Sequence, residues 1–107
     1  MASKKIEVRP SPIHGLGVFA TKKIRRGARI GDYEGPVAKR NGTYVLWILD
    51  EADGSVTGIR GQNDLRYLNH SSRPNCEFDG TKLSSIRDIE PGQELTFHYG
   101  EDWADWV

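Results

Sequence analysis

Two stretches of this 107-residue chain place chemically unlike groups side by side. The first, Arg66-Tyr67-Leu68-Asn69-His70-Ser71-Ser72-Arg73-Pro74-Asn75-Cys76, lines up Arg, Asn, His and Ser and then stops regular structure at Pro74. The second, Glu94-Leu95-Thr96-Phe97-His98-Tyr99-Gly100, is a strand-like run that ends on a tyrosine and a glycine. Polar side chains on a non-helical loop are ready ligand contacts, because loops on a rigid scaffold carry function. Phe97 precedes Tyr99 by two residues, so strand alternation puts both side chains on one face. Near the start, Gly15-Leu16-Gly17 offers backbone without Cβ atoms, which permits close approach of a ligand and unusual φ. It is not a dinucleotide fingerprint, since no third glycine and no helix follow. Each segment also has a plainer reading. Tyr99 could be a packed strand tyrosine, Asn69 and His70 ties between loop and core, Gly15-Leu16-Gly17 an ordinary turn, and Arg66 the partner of Asp64 or another acid.

Taken together and in this order, these segments and Tyr33-Glu34-Gly35 resemble the motifs of SET-domain protein lysine methyltransferases, over most of the chain from Ile6 to Tyr99. The resemblance implies methyl transfer from S-adenosylmethionine to a lysine amine in a protein substrate, a histone or other basic protein. It places Tyr99 and Tyr33 at the catalytic point, and Phe97, Tyr67 and Tyr33 along the substrate channel. It assigns cofactor binding to Gly15, Leu16, Gly17, Arg66, Asn69, His70, Tyr99 and Trp103. Phenylalanine at position 97 leans toward di- or trimethylation, because in this family a tyrosine there limits the number of methyl groups. The contrasting reading is a non-catalytic SET-like module that binds a peptide or ligand.

The chemistry such a site must do is a displacement at carbon by a neutral amine. A free lysine titrates near ~10.4, so deprotonation at neutral pH costs on the order of 4 kcal/mol. An apolar channel and a neighbouring positive sulfonium both lower that pKa. Alignment of nucleophile and methyl group supplies much of the rest. No strong general base is needed if water carries the proton away.

Several positions depart from the family pattern. His98 stands where an aspartate is frequent, Ser72 replaces a common cysteine, and the segment between Tyr33-Glu34-Gly35 and Asn69 is short. Many members close the site with a cysteine-rich zinc module. Cys76 is the only cysteine here, so no metal site is expected, and Trp103 and Trp106 are candidates to cover the cofactor instead. With so small an insert, a second copy of the chain could complete the substrate groove.

The elements that must position these residues are short strands. Gly27, Asp53-Gly54, Asp79-Gly80 and Pro91-Gly92 are turn signals between runs rich in β-branched and aromatic residues. They predict strands over 6–9, 17–21, 29–33, 43–49, 55–59, 76–78, 83–87 and 94–99, with hairpins at Asp53-Gly54 and Asp79-Gly80. Residues 63–68 could form one helical turn before Asn69. The expected class is mainly β, with little helix. The resemblance adds the SET-domain, β-clip-like fold of several short curved sheets with a threaded C-terminal segment. One domain over 1–107 is expected, with a core of about 6–100 and a short aromatic tail over 101–107.

Charge sums to zero but is unevenly spread, with ten Lys/Arg against three acids in residues 1–40 and the reverse bias beyond. An acidic C-terminal half could steer a lysine-rich peptide. Nucleic acid is not expected as a direct partner, since no recognition helix or aromatic platform accompanies the basic stretch. No apolar run is long enough to cross a membrane and no secretory signal is present, so a soluble intracellular protein is expected, cytoplasmic or, if histones are its substrates, nuclear.

Overall fold

The computed structural model describes residues 5–40, 42, 44–49 and 52–98. Among the described residues, ten short strands form three small sheets around a shared core, and one 3-10 turn accompanies them. The first sheet has the order β1-β2-β10-β7, with β1 at Ile6–Pro10, β2 at Leu16–Ala20, β10 at Glu94–Phe97 and β7 at Asn69–His70. The second is β3-β9-β8, from Arg29–Asp32, Lys82–Ser85 and Cys76–Asp79. The third is β4-β6-β5, from Val37–Ala38, Val56–Arg60 and Val45–Leu49.

Both predicted hairpins form. β5 pairs antiparallel with β6 around Asp53-Gly54, where the Ser55 amide donates to Asp53 Oδ1 at 2.8 Å. β8 pairs with β9 from Cys76↔Ser85 to Asp79↔Lys82 across Gly80. Pro91-Gly92 makes the turn into β10: the Gln93 amide reaches Glu90 O at 3.1 Å and Gly92 takes φ +87°. Proline at the second position and a positive-φ glycine at the third are what a type II turn requires. The helical turn falls at Asp64–Tyr67.

β2 lies between β1 and β10, and its residues from Gly17 to Ala20 are buried. Val18 stands opposite Leu95 in the register, and neither has measurable exposure. Leu83 and Ile89 are equally enclosed, and with Ile24, Leu65 and Leu68 they join the three sheets into one core. A two-residue bridge, Ile24↔Ile89, ties the segment after β2 to the segment before β10.

Two strands fall outside the expectation, β4 and β7, each of two residues. β7 runs parallel to β10, with Thr96↔Asn69 and Phe97↔His70. Parallel neighbours need a long connection, here supplied by residues 71–93 with the β8–β9 hairpin inside them. The C-terminal tail and its threading lie outside the described residues, as do Tyr99, Trp103 and Trp106.

Candidate active site

The loop between β1 and β2 is held from below by one buried and two half-buried polar side chains. Asn69, 7% exposed, directs its side-chain amide at Ser11 Oγ (3.1 Å), His14 O (3.2 Å), Leu16 O (3.1 Å) and Glu94 Oε2 (2.8 Å). Two N–H groups are thus shared among four acceptors. The Ser11 hydroxyl sits 2.8 Å from both Glu94 carboxylate oxygens. A charged acceptor makes these bonds stronger than neutral ones. Asn69 is therefore a tie between loop and core.

A Cβ at Gly17 would lie 2.3 Å from Glu94 Oε2 and 2.9 Å from Ser11 Cβ, so its missing side chain makes room for the Glu94 carboxylate. Gly15 is open by contrast. It takes φ +46°, nothing lies within 4 Å of where its Cβ would be, and it borders a cavity.

That cavity has a volume of about 470 Å³, within the ~300–1,000 Å³ range of small-molecule sites. It gathers Gly15, Leu16, Tyr33, Arg66, Tyr67, Asn69 and Phe97, which come from segments far apart in the chain. Gly17 and His70 do not line it. Backbone reach by Gly15 and Leu16, an aromatic wall and a few fixed polar groups are what a cofactor with a flat base and a charged tail needs.

Arg66 is oriented by its own turn. Its guanidinium donates to Gln62 O (2.8 Å), Asn63 O (2.9 Å) and Tyr67 Oη (2.6 Å), and lies 4.2 Å from the centroid of the Tyr67 ring. The pairing with Asp64 considered from sequence does not form among the described residues. Tyr33 is buried at the cavity edge and donates its hydroxyl to Tyr44 O, with its ring set edge-on to Phe78. Tyr44 has φ +67°, where side chains other than glycine seldom sit, and its ring meets Tyr67 edge-on. Such strain persists only where the surroundings hold it, often at ligand sites.

A second cavity of about 320 Å³ opens beside Trp47, Glu77, Phe78 and His98. It shares Leu46 and Phe97 with the first, so those two side chains are the partition between them. Phe97 is fixed by an edge-on contact with Phe78 at 5.0 Å. His70, expected at the cofactor, packs its exposed ring against His98 at 4.8 Å between centroids. Desolvation first, and then repulsion from His98, lower its pKa below the ordinary histidine value. Cys76 is buried, and desolvation pushes its thiol up to about 12, so it is an inert packing group.

Sequence reasoning missed Glu94, Ser11, Tyr44, Leu46 and Asn75. Asn75 brackets β10, donating to Glu94 O at 2.8 Å and accepting from the Thr96 amide at 2.9 Å. Glu94 did carry a signal, a carboxylate opening a strand with no other charged residue. Leu46 carried none, since only the folded chain brings it to Phe97.

This fold and this cavity define a class. The SET domain family matches residues 15–100, and the chain belongs to that family. Among proteins of similar sequence is the histone-lysine N-methyltransferase MEDEA of Arabidopsis thaliana, 30% identical over 97% of this chain and 18% of that protein. Another is the H3 lysine-4-specific histone-lysine N-methyltransferase of Schizosaccharomyces pombe, 32% identical over 90% of this chain and 13% of that protein. The chain thus spans under a fifth of the length of these relatives. Among solved structures, the methyltransferase domain of human PR domain-containing protein 2 superposes with a TM-score of 0.70 at 26% identity, over 94% of this chain and 81% of that one. ctPRC2 in an autoinhibited conformation, bound to S-adenosylmethionine, gives 0.75 at 26% identity, over 94% of this chain and 16% of that one.

Proposed function

We propose that this chain is a protein-lysine N-methyltransferase that uses S-adenosylmethionine. The observation that carries the reading is the partition: two cavities on either side of Phe97 and Leu46, one beside Gly15, Leu16 and Asn69, the other open beside Trp47 and Glu77. A cofactor on the first side and a lysine entering from the second would meet at that partition, which is the geometry an in-line transfer needs. Names of relatives, which are histone-lysine N-methyltransferases, support the same reading.

The residues fit the cofactor. Gly15 and Leu16 would present backbone to it, Asn69 would hold that backbone in place, and Tyr67 and Tyr44 would form an aromatic wall. When bound, it supplies a methyl group on a positive sulfonium. The chain's own part is to exclude water and orient the amine. The apolar surfaces of Phe97, Leu46 and Tyr33 would favour the neutral amine by desolvation. Tyr99 is proposed as the hydroxyl beside the reacting centre, with Trp103 over the cofactor. Tyr33 is proposed as the wall that positions the Tyr44 segment, since its hydroxyl donates there.

Histones or other basic proteins are the proposed substrates, acted on inside the cell by a single catalytic unit over 6–100, with or without a second copy completing the groove. Among the described residues no helix is long and apolar enough to cross a membrane. The test is intact-mass spectrometry of mixed histones and basic peptides after incubation with S-adenosylmethionine, for wild type and Tyr99→Phe. Mass gains in methyl steps, strongly reduced in the variant, are expected. Cofactor binding without any mass gain would assign the chain to the non-catalytic binding modules.

A further inference from the structure

The basic residues of the first third of the chain do not stay in a line. The Ile24↔Ile89 bridge, with reciprocal backbone bonds of 2.8 Å, folds the stretch from Lys22 to Arg29 against residues 86–90. That brings Arg87 to the same surface as Lys22, Lys23, Arg25 and Arg26, all of them exposed. Lys5 joins from the residue before β1, its Nζ 3.1 Å from Arg29 O, while the Thr21 amide bonds Lys5 O at 2.9 Å. Three acids stand nearby and each is engaged. Glu90 pairs with Lys23 at 3.4 Å, Asp32 with Arg29 at 2.7 Å, and Asp88 accepts the Arg26 amide at 2.8 Å. Among the described residues no acid pairs with the side chains of Arg25, Arg26 or Arg87. The patch therefore keeps a net positive charge in a chain whose charges sum to zero.

We propose that this patch binds the phosphate backbone of nucleic acid, without reading sequence. Two observations favour that partner over a protein or a membrane. Among the described residues the large exposed apolar ones are Ile13, Leu16, Val37, Tyr44 and Val56, and none lies in 21–29 or 86–90. The buried core of a protein interface is more apolar than the rest of the surface, and insertion into a membrane surface needs an apolar face; phosphate contact needs neither. Arginine, with its planar fork of donors, suits phosphate oxygens. The missing recognition helix, which argued against nucleic acid from sequence, bears only on base reading, since backbone binding is electrostatic.

The patch is separate from the cavity. It adjoins the Ile6↔Ala20 end of the β1–β2 hairpin, while the cavity borders Leu16 at the Pro10↔Leu16 end. Four residue steps of strand put those ends about 13 Å apart. Such an anchor would hold the chain beside the nucleic acid that accompanies basic proteins, leaving the cavity open.

The test is fluorescence anisotropy with a fluorescein-labelled 20-base-pair duplex of mixed sequence, titrated with the full chain from 25 to 200 mM salt. Wild type is expected to bind at low salt, with log Kobs falling against log salt at a slope of about −3 for three or four phosphates. Arg25→Glu/Arg26→Glu/Arg87→Glu is expected to lose at least tenfold in affinity, and Arg25→Lys/Arg26→Lys/Arg87→Lys to keep most of it. If the charge-reversed chain does not fold by thermal melting, Arg25→Ala/Arg26→Ala/Arg87→Ala reads the same loss. Lys39→Glu/Arg40→Glu, equally exposed but on the β4 side, should cost under threefold. No binding at 25 mM salt, an equal loss in that control, or tighter binding to phosphatidylserine vesicles than to the duplex would each overturn the proposal.

Discussion

Asn69 Nδ2 lies 2.8 Å from Glu94 Oε2, and through this contact the Arg66–Cys76 stretch grips the first residue of β10. The same amide holds His14 O and Leu16 O, so one pair, a buried amide on a half-buried carboxylate, sets the height of the cavity floor. Replacing Glu94 by Ala would strand the Asn69 amide and the Ser11 hydroxyl. We expect a loss of about 1–3 kcal/mol in stability, with weaker binding of S-adenosylhomocysteine by calorimetry. Unchanged binding in a folded Glu94→Ala protein would show that the floor does not depend on this pair.

Asn69→Asp makes a sharper test of the same contact. Two carboxylates at this distance cannot both ionise, so one pKa rises above its unfolded value. The folded state then binds more protons than the unfolded one, and stability is highest below about pH 4 and falls as pH rises. The variant should show a stability deficit relative to wild type at pH 7 that shrinks on acidification. A deficit independent of pH would sink the electrostatic account.

Gly17→Ala should be costly although Gly17 is not in contact with the cavity. Its Cβ would meet the Glu94 carboxylate, forcing that group to move; overpacking of this kind costs typically about 1–3 kcal/mol. Paired with Glu94→Ala, which removes the obstacle, the two losses should be less than additive in a double-mutant cycle.

Phe97→Tyr places a hydroxyl at the partition between the two cavities. The expected outcome is a shift of the product distribution toward fewer methyl groups per lysine, read by intact mass, with the melting temperature little changed. An identical distribution would remove Phe97 from the determinants of product state.

The His70–His98 pair predicts a pH dependence of stability. Because the folded pKa of His70 is lowered, the unfolded state takes up protons first as pH falls below about 6.5. Stability should therefore drop on going from pH 7.5 to 5, by a modest amount because His70 is exposed, and His98→Gln should reduce the drop only in part, since desolvation, the larger cause, remains. Cys76 gives a control on the core: its thiol should resist a thiol-specific reagent in the native state and react fully once unfolded.

Much of this was legible in the chain itself. Asp53-Gly54, Asp79-Gly80 and Pro91-Gly92 are turn chemistries, and turn chemistry is local, so both hairpins and the approach to β10 followed from it. Asn69-His70 is a strand of two residues that exists only because β10 lies alongside, and nothing local announces it. The same holds for Val37–Ala38, which needs Ile59 and Gly58 opposite. Site residues divided in the same way. Gly15, Leu16, Tyr33, Arg66, Tyr67, Asn69 and Phe97 meet at one cavity, while Gly17 lies against Glu94, the His70 ring lies against His98, and neither lines that cavity. Motif spacing identifies which residues gather in a region; it does not say which atom each one touches.

A wall shared by two rooms has a thermodynamic meaning. Since Leu46 and Phe97 line both cavities, whatever presses on them from one side changes what fits on the other. Occupants of the two cavities are then heterotropic effectors of each other, and linkage requires the effect to be reciprocal: the factor by which the first alters the affinity of the second equals the converse factor. Trimming the phenyl ring should weaken that coupling, with the loss read equally in the affinity of either ligand measured in the presence of the other.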